Sequence, residues 1–223
     1  MLPDAVFLDF DGLVCDTERA AQRSWRDLYA RNGFELPGEV WQRMVGRSVG
    51  ERVAAADLGE RRGSPLTNAE LVWRRNRKQE LADAEPLRPG VDELIAQANR
   101  HGVPVAVVSS SGSAWVGPHL YRLGVRARLS FMVTGDDTPR HKPAPDLYLL
   151  ALRRAGAAAA STVAFEDSPS GVAAALDAGL CCVGVPSAIG SYADLAAADQ
   201  VLDGLDRFPL DNAILHPKDA ILR

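Results

Sequence analysis

Asp9 and Asp11 stand two residues apart where a short apolar run stops, in Ala5-Val6-Phe7-Leu8-Asp9-Phe10-Asp11-Gly12. Three further polar groups end or follow apolar runs of the same kind. Ser109 follows Val103 to Val108, Glu166 and Asp167 follow Thr162 to Phe165, and Lys142 lies in the loop after Phe131 to Thr134. Each has an ordinary reading by itself. Asp is common in turns that close strands, Ser109 could be a helix N-cap, Lys142 a solvated lysine, and Glu166-Asp167 could cap the helix that starts after Ser168. Together they describe a site, because in an open parallel sheet ligands bind beyond the carboxyl ends of the strands.

Carboxylates gathered in one cleft repel and raise one another's pKa unless a cation compensates them. Mg²⁺ fits this donor set: it takes oxygen ligands and is typically held by one or two carboxylates plus a substrate phosphate, here Asp9, Asp167 and a backbone carbonyl. Ser109 and the free amides at the start of the next helix can then donate to phosphate oxygens, with Lys142 as a fixed positive charge beside them. Such an arrangement serves phosphoryl transfer.

The elements that must place these residues follow from periodicity. Ala5 to Leu8 is continuously apolar, as a strand covered on both faces should be. From Asp16 to about Glu85 the pattern is helical: Trp25, Leu28 and Tyr29 recur at i, i+3, i+4, with Gly33 as a C-terminal stop. Thr67 and Glu70 have capping-box spacing and open a helix that stops before Pro86. After Leu87-Arg88-Pro89-Gly90, helix and strand alternate: helix 91–100, strand 103–108, strand 131–134, helix 146–154, strand 162–165, helix 171–178 and strand 181–185. Pro118 argues that a helix between Ser113 and Leu123 starts late or kinks. The alternation predicts an α/β fold, a doubly wound parallel sheet, in a core of residues 1–15 and 86–223 with residues 16–85 inserted as a helical domain.

The 223 residues carry 25 Lys+Arg against 29 Asp+Glu, a formal net charge of −4, so no global positive field invites nucleic acid or an anionic membrane. An anionic substrate must instead be drawn by local cations and a metal. Cys15, Cys181 and Cys182 form neither an even framework nor a spaced ligand set and read as reduced structural residues. No run reaches the roughly 20 apolar residues of a membrane span. Without a leader-like N-terminus, a cytoplasmic protein is expected, a monomer or weak homodimer.

Four ordered segments carry a family resemblance. Phe7-Leu8-Asp9-Phe10-Asp11-Gly12-Leu13-Val14-Cys15-Asp16-Thr17-Glu18 resembles the first motif of the haloacid dehalogenase-like phosphatases. Val107-Val108-Ser109-Ser110-Ser111 resembles their second, Lys142-Pro143-Ala144-Pro145-Asp146 their lysine motif, and Phe165-Glu166-Asp167-Ser168-Pro169-Ser170-Gly171 their acidic fourth. The resemblance covers the whole chain and implies a Rossmann-like core with a helical cap after the first motif. It makes Asp9 the nucleophile that becomes an aspartyl phosphate and Asp11 the acid and base, whose backbone carbonyl also meets Mg²⁺. Ser109 would bind the transferring group, with Ser110 among the substrate-binding residues, and Lys142 would neutralise it. Asp167 would ligate Mg²⁺, with Glu166 bound directly or through water. Gly46-Arg47-Ser48 resembles the substrate-facing cap loop, so Gly46 and Arg47 are candidates for contacts to the leaving group.

The resemblance implies hydrolysis of a small phosphorylated metabolite, a sugar phosphate above all. A dehalogenase of the family would lack the second acid, and Asp11 is present. A phosphosugar mutase of the β-phosphoglucomutase type shares all four motifs, but its cap helix carries a histidine where this chain reads Glu18-Arg19-Ala20-Ala21-Gln22. Its cap loop also has basic residues where this chain has Val45 and Val49. A non-catalytic metabolite-binding protein is the remaining class; turnover of an aryl phosphate would exclude it.

Overall fold

Ala5, Val6, Phe7 and Leu8 are fully buried, and the strand they form is buried because it is central. In this computed structural model, which describes residues 2–44, 50–208 and 210, the strands are β1 (Ala5–Leu8), β2 (Val105–Val108), β3 (Phe131–Val133), β4 (Thr162–Glu166), β5 (Cys181–Gly184) and β6 (Gln200–Val201). They form one sheet in the order β3-β2-β1-β4-β5-β6, with every pairing parallel. Val6 lies opposite Val105 on one side and Val163 on the other.

The period of two along β1 sorts its side chains between two cores. Val6 and Leu8 join Leu94 and Ile95 of α5 (Val91–Arg100) and Val116 and Leu120 of α6 (Ser113–Arg122). Ala5 and Phe7 join Leu147 and Ala151 of α7 (Asp146–Ala155) and Val172 and Ala175 of α8 (Pro169–Asp177). Helices therefore cover both faces, the doubly wound arrangement that the alternating pattern predicts. Burying each large apolar side chain contributes about 1.5–3 kcal/mol.

Three of the differences from expectation have a clear physical cause. β2 begins at Val105, since Pro104 has no N–H for the ladder and only its carbonyl is used, by Val6 N at 2.9 Å. α6 does not start late: it runs from Ser113 to Arg122 with Pro118 inside it. Val116 and Leu120 are fully buried on the sheet, and that packing outweighs the roughly 3 kcal/mol disadvantage of proline inside a helix. α8 starts two residues before Gly171, because Pro169 occupies the first turn and the Ser168 hydroxyl accepts from Gly171 N at 3.1 Å.

The chain divides into two compact units at Cys15/Asp16 and Glu85/Pro86. The smaller is helical among its described residues, with α1 (Thr17–Arg31), α2 (Gly38–Met44), α3 (Gly50–Arg62) and α4 (Asn68–Asp83). Its core includes Trp25, Leu28, Tyr29 and Leu58, and the Tyr29 hydroxyl bonds Asp57 Oδ2 at 2.9 Å. At the start of α4 the Thr67 hydroxyl accepts from Glu70 N at 3.3 Å, while Glu70 Oε2 accepts from Thr67 N at 2.8 Å. This is the capping box that the spacing predicts. Among the described residues no helix is long and apolar enough to cross a membrane.

Candidate active site

Because the sheet is parallel, the carboxyl ends of β1, β2 and β4 emerge on one edge, and the polar residues that stop their apolar runs emerge with them. Lys142 is delivered to the same place by the loop after β3. Its ammonium lies 2.5 Å from Asp9 Oδ1, 2.6 Å from Glu166 Oε1 and 2.7 Å from the Val108 carbonyl, so all three of its donors have acceptors. It also stands 5.0 Å from the centre of the Tyr148 ring. Lys142 is thus no solvated lysine: its side chain is 4% exposed.

Burial pushes the Asp9 carboxyl up to about 8, against the pull of the Lys142 ammonium and with Glu166 and Asp11 adding to the rise. Burial alone would lower the lysine, but Asp9 and Glu166 outweigh it and hold the ammonium above its ordinary range. Burial, then the Glu166 charge, keeps the Tyr148 phenol protonated, so its hydroxyl can donate to Glu166 Oε1 at 2.5 Å.

Asp9, Glu166 and Asp167 each aim an oxygen into a cluster whose members lie within 4.8 Å of one another. Glu166 is fully buried, and its Oε2 has no hydrogen-bond partner among the described residues. A buried carboxylate oxygen without a donor is costly unless a cation meets it, so this all-oxygen set fits a hard divalent ion. Two glycines leave room for these carboxylates. A Cβ at Gly171 would collide with Glu166 Oε2, and one at Gly12, whose φ is 83°, would collide with Asp167 Oδ2.

Asp11 stands outside that cluster. Its Oδ2 accepts from the Ser111 hydroxyl at 2.5 Å, with Ser109 Oγ at 3.5 Å, and its Oδ1 accepts from the Trp115 indole N–H at 2.8 Å. Ser109 is 1% exposed, and its hydroxyl accepts from Ser111 N at 3.0 Å. Two amides at and just before the start of α6 already have side-chain acceptors. Ser111 N is given to Ser109, and Ser113 N donates to Asp136 Oδ2 at 2.7 Å. Ser110 accepts at Oγ from Lys142 N at 3.3 Å, so its hydroxyl steadies the lysine loop. Gly46 and Arg47 lie outside the described residues.

The family model of the haloacid dehalogenase-like hydrolases matches residues 3–179. The chain belongs to that family. YhcW of Bacillus subtilis (strain 168) is 37% identical over 186 residues, 83% of this chain and 84% of that protein. The fructose-1-phosphate phosphatase YqaB of Escherichia coli (strain K12) is 32% identical over 182 residues, 81% of this chain and 95% of that one. The crystal structure of CbbY from Rhodobacter sphaeroides in complex with phosphate superposes with a TM-score of 0.72 at 28% identity, covering 92% of this chain and 96% of that chain.

Within this hydrolase, sequence reasoning missed Ser111, Trp115, Tyr148 and Arg88. Arg88 binds the Gly12 carbonyl and, at 2.7 Å, the Pro186 carbonyl, tying the turn that carries Asp11 to the loop after β5. Ser111 belongs to the motif around Ser109 and could have been suspected there. A tryptophan and a tyrosine on amphipathic helices read as core, and no local spacing distinguishes them.

Proposed function

We propose that this hydrolase is a Mg²⁺-dependent phosphatase of small phosphorylated metabolites, sugar phosphates above all, working through a phosphoryl group carried on Asp9. The observation that carries the reading is the separation of Asp11 from the three-carboxylate cluster. Asp9, Glu166 and Asp167 share one oxygen-lined position, while the Asp11 carboxylate is held by hydroxyl and indole donors, as a group reserved for proton transfer should be. The substrate class rests on the likeness to YqaB, named for fructose 1-phosphate, and to CbbY, whose structure holds phosphate.

Lys142 occupies Asp9 Oδ1, which leaves Oδ2 to attack phosphorus. The new Asp9 oxygen–phosphorus bond forms as the bond to the leaving oxygen breaks, and Asp11 gives its proton to that oxygen. In the second displacement water loses a proton to Asp11 and attacks phosphorus as the bond from phosphorus to the Asp9 oxygen breaks, releasing phosphate and restoring the Asp9 carboxylate and the protonated Asp11. Lys142 stays between Asp9 and Glu166 and offsets charge on the transferring oxygens; Ser109 is buried within reach to donate to one of them. Asp9, Asp167 and Glu166 would hold Mg²⁺ with the Asp11 carbonyl, and the ion would supply positive charge to the phosphoryl oxygens.

The test incubates purified protein with fructose 1-phosphate and with β-glucose 1-phosphate plus a trace of its 1,6-bisphosphate, with Mg²⁺ or excess chelator, and follows free phosphate and glucose 6-phosphate separately. Free phosphate should appear only with Mg²⁺, and Asp9→Asn should reduce it to background. Glucose 6-phosphate outpacing phosphate would replace the phosphatase with a mutase, and undiminished turnover in chelator would remove the metal.

A further inference from the structure

The contact between Trp115 and Asp11 joins residues 104 apart in sequence. Trp115 sits in the first turn of α6, half-buried, with its indole packed against the core beneath β1. One turn on, the His119 ring braces the indole edge-on, with ring centres 4.5 Å apart and planes at 66°. His119 in turn lies 5.9 Å from the ring of Phe10, the residue between the two aspartates. The indole is therefore fixed from two sides with its N–H aimed at Asp11 Oδ1 at 2.8 Å.

We propose that Trp115 is a positioning residue for proton transfer by Asp11, holding the carboxylate so that Oδ2 faces the leaving oxygen. The inference rests on the phosphatase reading given above. The Trp115 indole and the Ser111 hydroxyl, both donors to Asp11, are chemically unequal. An indole N–H can only donate, so it keeps Oδ1 an acceptor, whereas the Ser111 hydroxyl can donate or accept and tolerates a proton on Oδ2. The clamp thus separates the roles of the two oxygens: Oδ1 anchors and Oδ2 gives the proton as the phosphorus–oxygen bond breaks. Without the indole N–H the carboxylate keeps Ser111 but gains freedom about its terminal torsion, and misplacement of a reacting group by fractions of an ångström is costly.

The experiment measures kcat/KM of wild type and Trp115→Phe with Mg²⁺ over phosphate esters from p-nitrophenyl phosphate, whose leaving group needs no proton, to alkyl and sugar phosphates, whose leaving groups do. kcat/KM reports the steps up to departure of the leaving group, where the acid acts. Trp115→Phe should lower it about ten- to a hundredfold for alkyl esters, part of the roughly 10²–10⁴-fold that an acid contributes. For p-nitrophenyl phosphate the loss should stay within a few-fold, so the dependence on the leaving group steepens. Trp115→His, which keeps a ring N–H, should recover part of the loss. Equal loss on all esters, or none, overturns the positioning role while the phosphatase reading stands. A wild type without Asp9-dependent turnover overturns both. Should Trp115→Phe fail to fold, Trp115→His against wild type decides by the same slope.

Discussion

Lys142 and Arg74 are both buried cations, one in each compact unit, and they are satisfied very differently. The Lys142 ammonium meets two carboxylates and a carbonyl. Arg74, 2% exposed, pairs Nη2 with Glu51, whose side chain is 60% exposed, and lays its guanidinium 4.8 Å from the centre of the Trp25 ring. Among the described residues its Nε and Nη1 have no hydrogen-bond partner, and burial draws its pKa down. A buried charge is stable only when its donors are met. The sheet unit meets that condition around the residues that do chemistry. In the helical unit the arginine serves mainly as bulk, its stem and flat face filling space beside Trp25.

The largest effect expected from this contrast is at Lys142. Lys142→Met leaves Asp9 and Glu166 facing each other without a cation between them. Turnover should fall at least about 10²-fold through loss of charge stabilisation, and stability should drop by about 3–5 kcal/mol, the usual consequence of removing one partner of a buried pair. Steady-state rates and urea unfolding measure the two. A variant as stable as wild type would mean that the carboxylates do not depend on the lysine.

Arg74→Met should do the opposite. The methionine keeps most of the volume, ends the desolvation of two unpartnered N–H groups, and gives up a cation–π contact of about 0.5–2 kcal/mol and an ion pair with an exposed partner. Glu51 is exposed and stays solvated when the arginine is removed, so no buried charge is left without its partner. The unfolding midpoint should therefore hold or rise. A loss as large as that of Lys142→Met would erase the distinction between the two cations.

How far the sequence could be read follows the same division. The sheet was legible because β1, β2 and β4 are short, largely apolar runs ended by polar residues, as at Leu8-Asp9 and Phe165-Glu166. A parallel sheet then gathers those ends without further information. Most differences, such as the start of β2, concern one or two residues at an element end. Pro118 does not delay the start of α6, where packing of Val116 and Leu120 outweighs a local preference. The two-residue β6 carried too little pattern to be seen. At the site, the residues at strand ends were legible, while Trp115 and Tyr148 were not. They reach Asp11 and Glu166 from helices distant in the chain, and only the fold brings an indole N–H or a phenol to a carboxylate. Arg74 was invisible for the same reason, since one arginine in an Arg-rich helix looks solvated until Trp25 and Glu51 are placed around it.

The smallest expected effect is at the start of α4, where a well-satisfied charge in the helical unit offers the counterpart of Arg74. Glu70 accepts from the Thr67 amide and hydroxyl and pairs with Arg62. The Arg62 guanidinium and then the Thr67 donors hold its carboxyl down to about 2. The side chain is 27% exposed, so the pair is screened and the gain is modest. Glu70→Gln keeps an acceptor for the cap but loses the charge, and should reduce stability by about 0.5–1 kcal/mol at neutral pH. The sign with pH follows from the lowered value. Between roughly 4.3, the ordinary glutamate value, and about 2, the unfolded chain binds the proton more readily than the folded one, so stability rises with pH across that window. The contribution of Glu70 is complete above it and is lost as pH falls through it. Glutamine does not titrate. Thermal midpoints of the two proteins should therefore differ most at pH 6–7 and converge toward about pH 2, with other acidic groups cancelling in the difference. A gap that stays constant from neutral to acid would assign the loss to the cap's geometry and not to its charge.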